Sequence, residues 1–141
     1  MDESDRSDIM EGFLKSDDYQ TAESFAHSIK DEWQRAESLA QIARAMASTG
    51  RLNDARRVWR EAIAVAQAGE NSQNLQDSLD SCSVLWEIAE DMASEGDIDG
   101  ARKVAMNIKN EHKRQRALSY VAEIAEGGRG SFYRLRNNLP A

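Results

Sequence analysis

Few side chains in this 141-residue chain are of types that do covalent chemistry, and their spacing decides which chemistry is open to them. His27 and His112 could act as general bases, but they stand 85 residues apart and neither has a motif neighbour. Cys82 is the single cysteine. As a nucleophile it would need a supporting base, and its place at a helix edge suits a small packed side chain instead. Glu90 and Asp91 form an adjacent carboxylate pair of the kind that solvated helices carry without any catalytic role. The segment EGDIDG (95–100) sets Glu95, Asp97, Asp99 and Gly100 in the order of a calcium loop, yet the place of the bidentate glutamate is taken by Met106. No glycine-rich phosphate loop occurs. These residues lead us to expect no catalytic group, no metal and no cofactor.

The elements that must position any other kind of site emerge from an internal repeat. Residues 18–46 lie over 97–125 at a constant offset of 79, which pairs Ala22 with Ala101, Ile29 with Ile108, Lys30 with Lys109, Arg35 with Arg114 and Ala43 with Ala122. Residues 36–50 resemble 82–96 at an offset of 46, and 51–62 follow 18–29 at an offset of 33. The difference of 13 places an insertion near Gln67 to Asp80. Each unit resolves into two helix types with apolar residues at i, i+3, i+4 and i+7. The first type carries Leu39, Ile42, Ala43 and Met46, and again Leu85, Ile88, Ala89 and Met92, then Leu118, Val121, Ala122 and Ala125. The second carries Ala22, Phe25, Ala26 and Ile29, then Ala55, Val58, Trp59 and Ala62, then Ala101, Val104, Ala105 and Ile108. Ile9, Met10 and Phe13 open the series, before a turn at Ser16 to Asp18.

Punctuation agrees with this division. Gly50 and Gly96 stand just past first-type helices, where a left-handed residue ends a helix at little cost. Asn53 and Asp97 are placed to cap the following helices, and Asp31 with Gln34 forms the pattern of a capping box. Leu75, Leu79, Cys82 and Trp86 continue a helical stripe backwards into the insertion, so both flanking helices are expected to lengthen around a turn near Gly69 to Gln73. The expectation is seven helices: hairpins near 5–30, 32–68 and 74–109, and a closing helix near 111–126. Residues 1–126 then form one repeat domain and 127–141 a tail. No two-residue β-period is found.

Composition excludes several function classes. Hydrophobic residues make up 40% of the chain, enough for a core, while a net charge of −7 disfavours nonspecific binding of nucleic acid or anionic membrane. No stretch approaches a membrane span, and the acidic opening MDESDRSDIM lacks the apolar centre of a signal peptide. Cys82 has no partner for an internal disulfide, so a cytoplasmic location is expected. Charge is unevenly spread: residues 1–32 hold 10 acids and 3 bases, and residues 97–141 hold 5 acids and 9 bases.

The order Leu39, Ile42, Ala43, Met46, Gly50, Ala55, Trp59, Ala62 resembles the tetratricopeptide repeat, with Leu85, Ile88, Ala89, Met92, Gly96, Ala101, Ala105 and Ile108 as a second copy. Gln67 stands where that family has its closing proline. The resemblance implies an all-α, right-handed αα-superhelix of three hairpins plus a capping helix, the second hairpin elongated. It implies too that first-type helices line a concave groove that holds a partner peptide. The groove positions so implied are Glu37, Gln41 and Arg44, then Ser83, Trp86, Glu87 and Glu90, then Arg116, Tyr120 and Glu123. The family's Lys/Asn/Arg clamp for a terminal carboxylate is not matched. Trp86 and Tyr120 are the candidate anchors, since interface energy concentrates on aromatics and arginines, with packing of Trp86 under the long hairpin as the alternative. The expected function is that of an adaptor or scaffold binding a peptide or helix of another protein, with homo-oligomeric assembly through the elongated hairpin or the repeat ends as the alternative. The tail GGRGSFYRLRNNLPA interleaves aromatics with arginines, but one such short segment is a weak signal for nucleic acid.

Overall fold

The structure, a computed structural model, describes residues 3–128, so the tail beyond Gly128 lies outside the described residues. Seven α-helices follow one another: α1 Glu3–Lys15, α2 Tyr19–His27, α3 Glu32–Ser48, α4 Leu52–Gly69, α5 Leu75–Ser94, α6 Ile98–Met106 and α7 Glu111–Glu123. No strand occurs among the described residues, and no described helix is long and apolar enough to cross a membrane. The final helix is not plain α to its end: Ile124–Gly128 widens into a π-helical turn. Contacts divide the chain into two units, Met1–Val84 and Leu85–Ala141, with the boundary inside α5.

Most of the stripes read from the sequence are buried, but that of the closing helix is not: of Leu118, Val121, Ala122 and Ala125 only Val121 is buried, Ala125 is exposed, and Ala117 faces inward instead. In the first unit, Ala22, Ala26, Leu39, Ile42, Ala43, Ala55, Val58 and Ala62 are wholly enclosed, with Trp59 filling the space among these small residues. In the second, Leu85, Ile88, Ala89, Ala101, Ala105, Ile108, Ala117 and Val121 do the same. Alanine here lets helix axes approach closely, and the larger neighbours occupy the gaps so created.

The offset of 79 extends beyond side-chain types to backbone chemistry. Arg35 Nη1 donates to the carbonyls of Ile29 and Lys30 at 2.8 and 3.3 Å, and Arg114 Nη1 donates to those of Ile108 and Lys109 at 2.9 and 3.3 Å. Each arginine thereby satisfies carbonyls left over where a second-type helix ends. The side chain of Asp18 accepts from the Thr21 amide at the start of α2, and that of Asp97 accepts from the Gly100 amide at the start of α6. Before these caps, Asp17 and Gly96 both take positive φ, 57° and 94°. Helices α1–α3 and α5–α7 are thus two copies of one three-helix arrangement.

Some local expectations need correction. Asn53 does not cap α4; the helix starts at Leu52 after Arg51, which makes no side-chain cap, and Asn53 falls inside it. Asp31 stands at the N-cap of α3 in extended backbone, but no side-chain cap forms there. Gln34 cannot complete a capping box because its Oε1 accepts from Arg6 of α1 instead. At the matching place before α7, Asn110 does cap, accepting from the Lys113 amide at 2.9 Å. Leu75 does not belong to the apolar stripe: it is 73% exposed at the first residue of α5, and burial along this helix is complete only from Ser81 and Cys82 onward.

Helices α4 and α5 are the two longest, as the insertion requires, and turn through Glu70–Asn74. They come close where a Cβ added to Gly69 would lie 2.1 Å from Ser81 Oγ. Cys82 is buried beside them, its thiol donating to the buried Glu70 carboxylate at 3.0 Å. The EGDIDG segment serves the turn and helix start: Glu95 and Gly96 form the turn, Asp97 caps α6, and Asp99 pairs with Arg102 at 3.7 Å.

The same substitution should have opposite signs at two glycines. Gly96→Ala forces a Cβ into left-handed backbone and is expected to lower stability by about 1 kcal/mol. Gly12, inside α1 with nothing near its would-be Cβ, should gain about 0.5–1 kcal/mol as alanine. Urea unfolding followed by far-UV circular dichroism checks both; shifts of the same sign would contradict these backbone assignments.

Candidate functional site

Within the second unit, α5 and α7 leave an open hollow of about 350 Å³ on their shared face. Helical spacing explains its lining. Trp86 and Glu90 are four residues apart on α5, while His112, Arg116 and Tyr120 repeat at four-residue steps on α7. The inner faces of the same helices are occupied by Leu85, Ala89, Ala117 and Val121, which leaves these larger side chains turned outward.

Trp86 is half-buried, and two cations lie over its ring: the Arg116 guanidinium carbon 5.0 Å and Lys113 Nζ 5.8 Å from the centroid. Such stacking holds the charges in place without consuming their hydrogen-bonding capacity. Further along, the Tyr120 and Ser94 hydroxyls approach to 3.4 Å. Burial pushes the Glu90 carboxyl above its ordinary range; the Trp86 indole N–H opposes this, the neighbouring Asp91 and Glu87 carboxylates reinforce it, and Arg116 opposes it.

The first unit has its own hollows between α1 and α3. A wider one of about 550 Å³ is lined by Glu11, Leu14, Lys15, Gln41 and Arg44. A narrow one beside it is lined by Arg6, Met10, Gln34 and Glu37, and Ser7 and Gln41 border both.

The ten positions implied by the tetratricopeptide resemblance therefore separate. Trp86, Glu90, Arg116, Tyr120 and Glu123 come together on the α5–α7 hollow. Glu37, Gln41 and Arg44 line the α1–α3 hollows. Ser83 lines neither; it is half-buried and its hydroxyl donates back to the Leu79 carbonyl at 3.2 Å. Glu87 is exposed and outside the lining. Missing from that set are His112, Lys113, Gln115 and Ser119 on α7, and Ser7, Glu11 and Lys15 on α1. The signal that finds the α1 residues is the offset of 79 carried back past residue 18, where Ile9 falls on Ile88 and Phe13 on Met92.

The other chemistry-bearing residues have structural settings. His27 Nε2 lies 2.7 Å from Glu61 on an exposed face, and Cys82 is enclosed with Glu70. Among the described residues, no group of three or more His, Cys, Asp or Glu side chains could hold a metal ion.

Two carboxylates should respond to pH with opposite sign. Glu90, with its folded pKa raised, binds more protons folded than unfolded, so its contribution to stability falls as pH rises from the ordinary carboxylate range through the folded value. Glu90→Gln should therefore raise the melting temperature at neutral pH, the gain vanishing below the ordinary range. Glu23 is held low by its hydrogen bonds from Arg57, at 2.8 and 3.0 Å. Its contribution is present above the ordinary range and lost as pH falls through the folded value, so Glu23→Gln should lower the melting temperature at neutral pH only. Melting curves from pH 3 to 8 check both signs. No protein-family model matches the chain, and neither curated proteins nor solved structures include a match to it.

Proposed function

We propose that this chain is a noncovalent binding module that holds a segment of a partner protein on the α5–α7 hollow, with Trp86 as its anchor. The observation that carries this reading is the half-buried Trp86 ring with Arg116 and Lys113 stacked over it, in an open hollow bordered by Tyr120 and Glu90. Aromatic and arginine side chains are the types on which interface energy concentrates. An open hollow of this size excludes little water, which favours recognition of a surface-lying segment over enclosure of a reacting substrate.

The tetratricopeptide-like architecture belongs to the same proposal. Alternating helix types with small residues at their contacts, and the duplication of α1–α3 as α5–α7, support stacking of αα-hairpins into a right-handed superhelix. An adaptor or scaffold acting in the cytoplasm, doing no covalent chemistry, is the reading that fits these features together.

Selection of displayed random peptides on the folded chain tests it. Peptides recovered on the wild type should bind Trp86→Ala/Arg116→Ala about 30-fold more weakly, the loss typical of hot-spot residues, while the far-UV helical signal is unchanged. Equal binding to both proteins would move the site off this hollow.

A further inference from the structure

The two copies of the three-helix arrangement can be compared position by position across their hollows. At an offset of 79, Ser7 corresponds to Trp86, Glu11 to Glu90, Gln41 to Tyr120, Glu37 to Arg116 and Arg44 to Glu123. The second-unit five line the α5–α7 hollow, whereas in the first unit Arg44 lines the wider α1–α3 hollow and Glu37 the narrow one beside it. Glu11 and Glu90 keep the same charge. The two ends of the first-type helix do not: α3 runs from acid at Glu37 to base at Arg44, whereas α7 runs from base at Arg116 to acid at Glu123. Lys113 strengthens the basic end of α7, since it shares the Trp86 ring with Arg116, whereas Lys15 beside Arg44 is paired with Glu11 at 3.0 Å.

Each charged pair is separated by seven residues, two helical turns, which keeps both charges on one face about 10 Å apart. An extended chain laid alongside advances about 3.3 Å per residue, so partner charges three residues apart would meet both ends. From this we infer that the α5–α7 hollow selects an extended segment with one acidic and one basic side chain at i and i+3. The acid lies against Arg116 and Lys113, which the Trp86 ring holds in place, the base against Glu123, and a side chain between them meets Tyr120. Charges at the border of an interface act mainly by rejecting mismatched partners, because like charges brought together are strongly unfavourable. The inference rests on the binding reading above and adds the partner's chemistry to it.

The test pans a displayed eight-residue library against the full wild-type chain, Glu123→Arg and Arg116→Glu, counting only peptides whose binding is lost in Trp86→Ala. Wild type should enrich acid–base pairs at i and i+3, preferred about tenfold over peptides with two like charges there. Glu123→Arg should shift the preference to two acids, and Arg116→Glu to two bases. Trp86-dependent peptides with unchanged charges across the three proteins would overturn the inference and leave the binding reading standing. Recovery of no Trp86-dependent peptide would overturn both.

Discussion

The structure depends on how closely its helices can approach. Ala22, Ala26, Ala43, Ala55, Ala62, Ala101, Ala105 and Ala117 show no exposure at all, and they recur at the places where one helix lies on the next. A larger residue at any of them would separate two axes and open voids around Trp59, Leu39 or Ile108, whose volume presumes the close contact. The large side chains can be few because the small ones are so regularly placed.

The two copies share some features and differ in others. Both retain the arginine that satisfies the end of the second-type helix, the aspartate cap, and the left-handed residue before it. These groups fix backbone geometry, and little else can substitute for them. The hollows diverge in size, aromatic content and sign of charge on the same frame. A further difference lies in α3 and α7. Ala36, Leu39 and Ala40 are buried in α3, which α4 covers, while the matching Gln115 and Ser119 of α7 are exposed and Leu118 is half-buried. Polar side chains thus replace alanine where, among the described residues, no further α-helix follows.

Helix number and order, and the inward faces of most helices but not of α7, could be read from the chain because periodicity of apolar residues reflects burial. Gly50 and Gly96 were readable for a similarly direct reason, since few other residues end a helix in left-handed backbone. Caps were less legible. Asn53 and Asp31 have the right residue types, but capping depends on where the helix begins and on competing partners such as Arg6 for Gln34, and neither is local information. The hollows were legible only in part. Spacing reveals that Arg116 and Tyr120 share a face of α7 and that Trp86 and Glu90 share a face of α5, whereas Lys113 enters through a long side chain reaching over the Trp86 ring. Ser83 and Glu87 show the converse: a non-stripe position on the proper helix does not by itself point toward the neighbouring one.

The thiol at the foot of the α4–α5 hairpin has a consequence for how the molecule moves. Cys82 is 1% exposed, and its S–H is engaged by Glu70, a carboxylate that is itself 5% exposed. A solvent-borne alkylating reagent can reach that sulfur only while the long hairpin is parted, so modification must wait for local opening. The chain therefore carries its own stopwatch for fraying at this joint, with one sulfur atom as the hand.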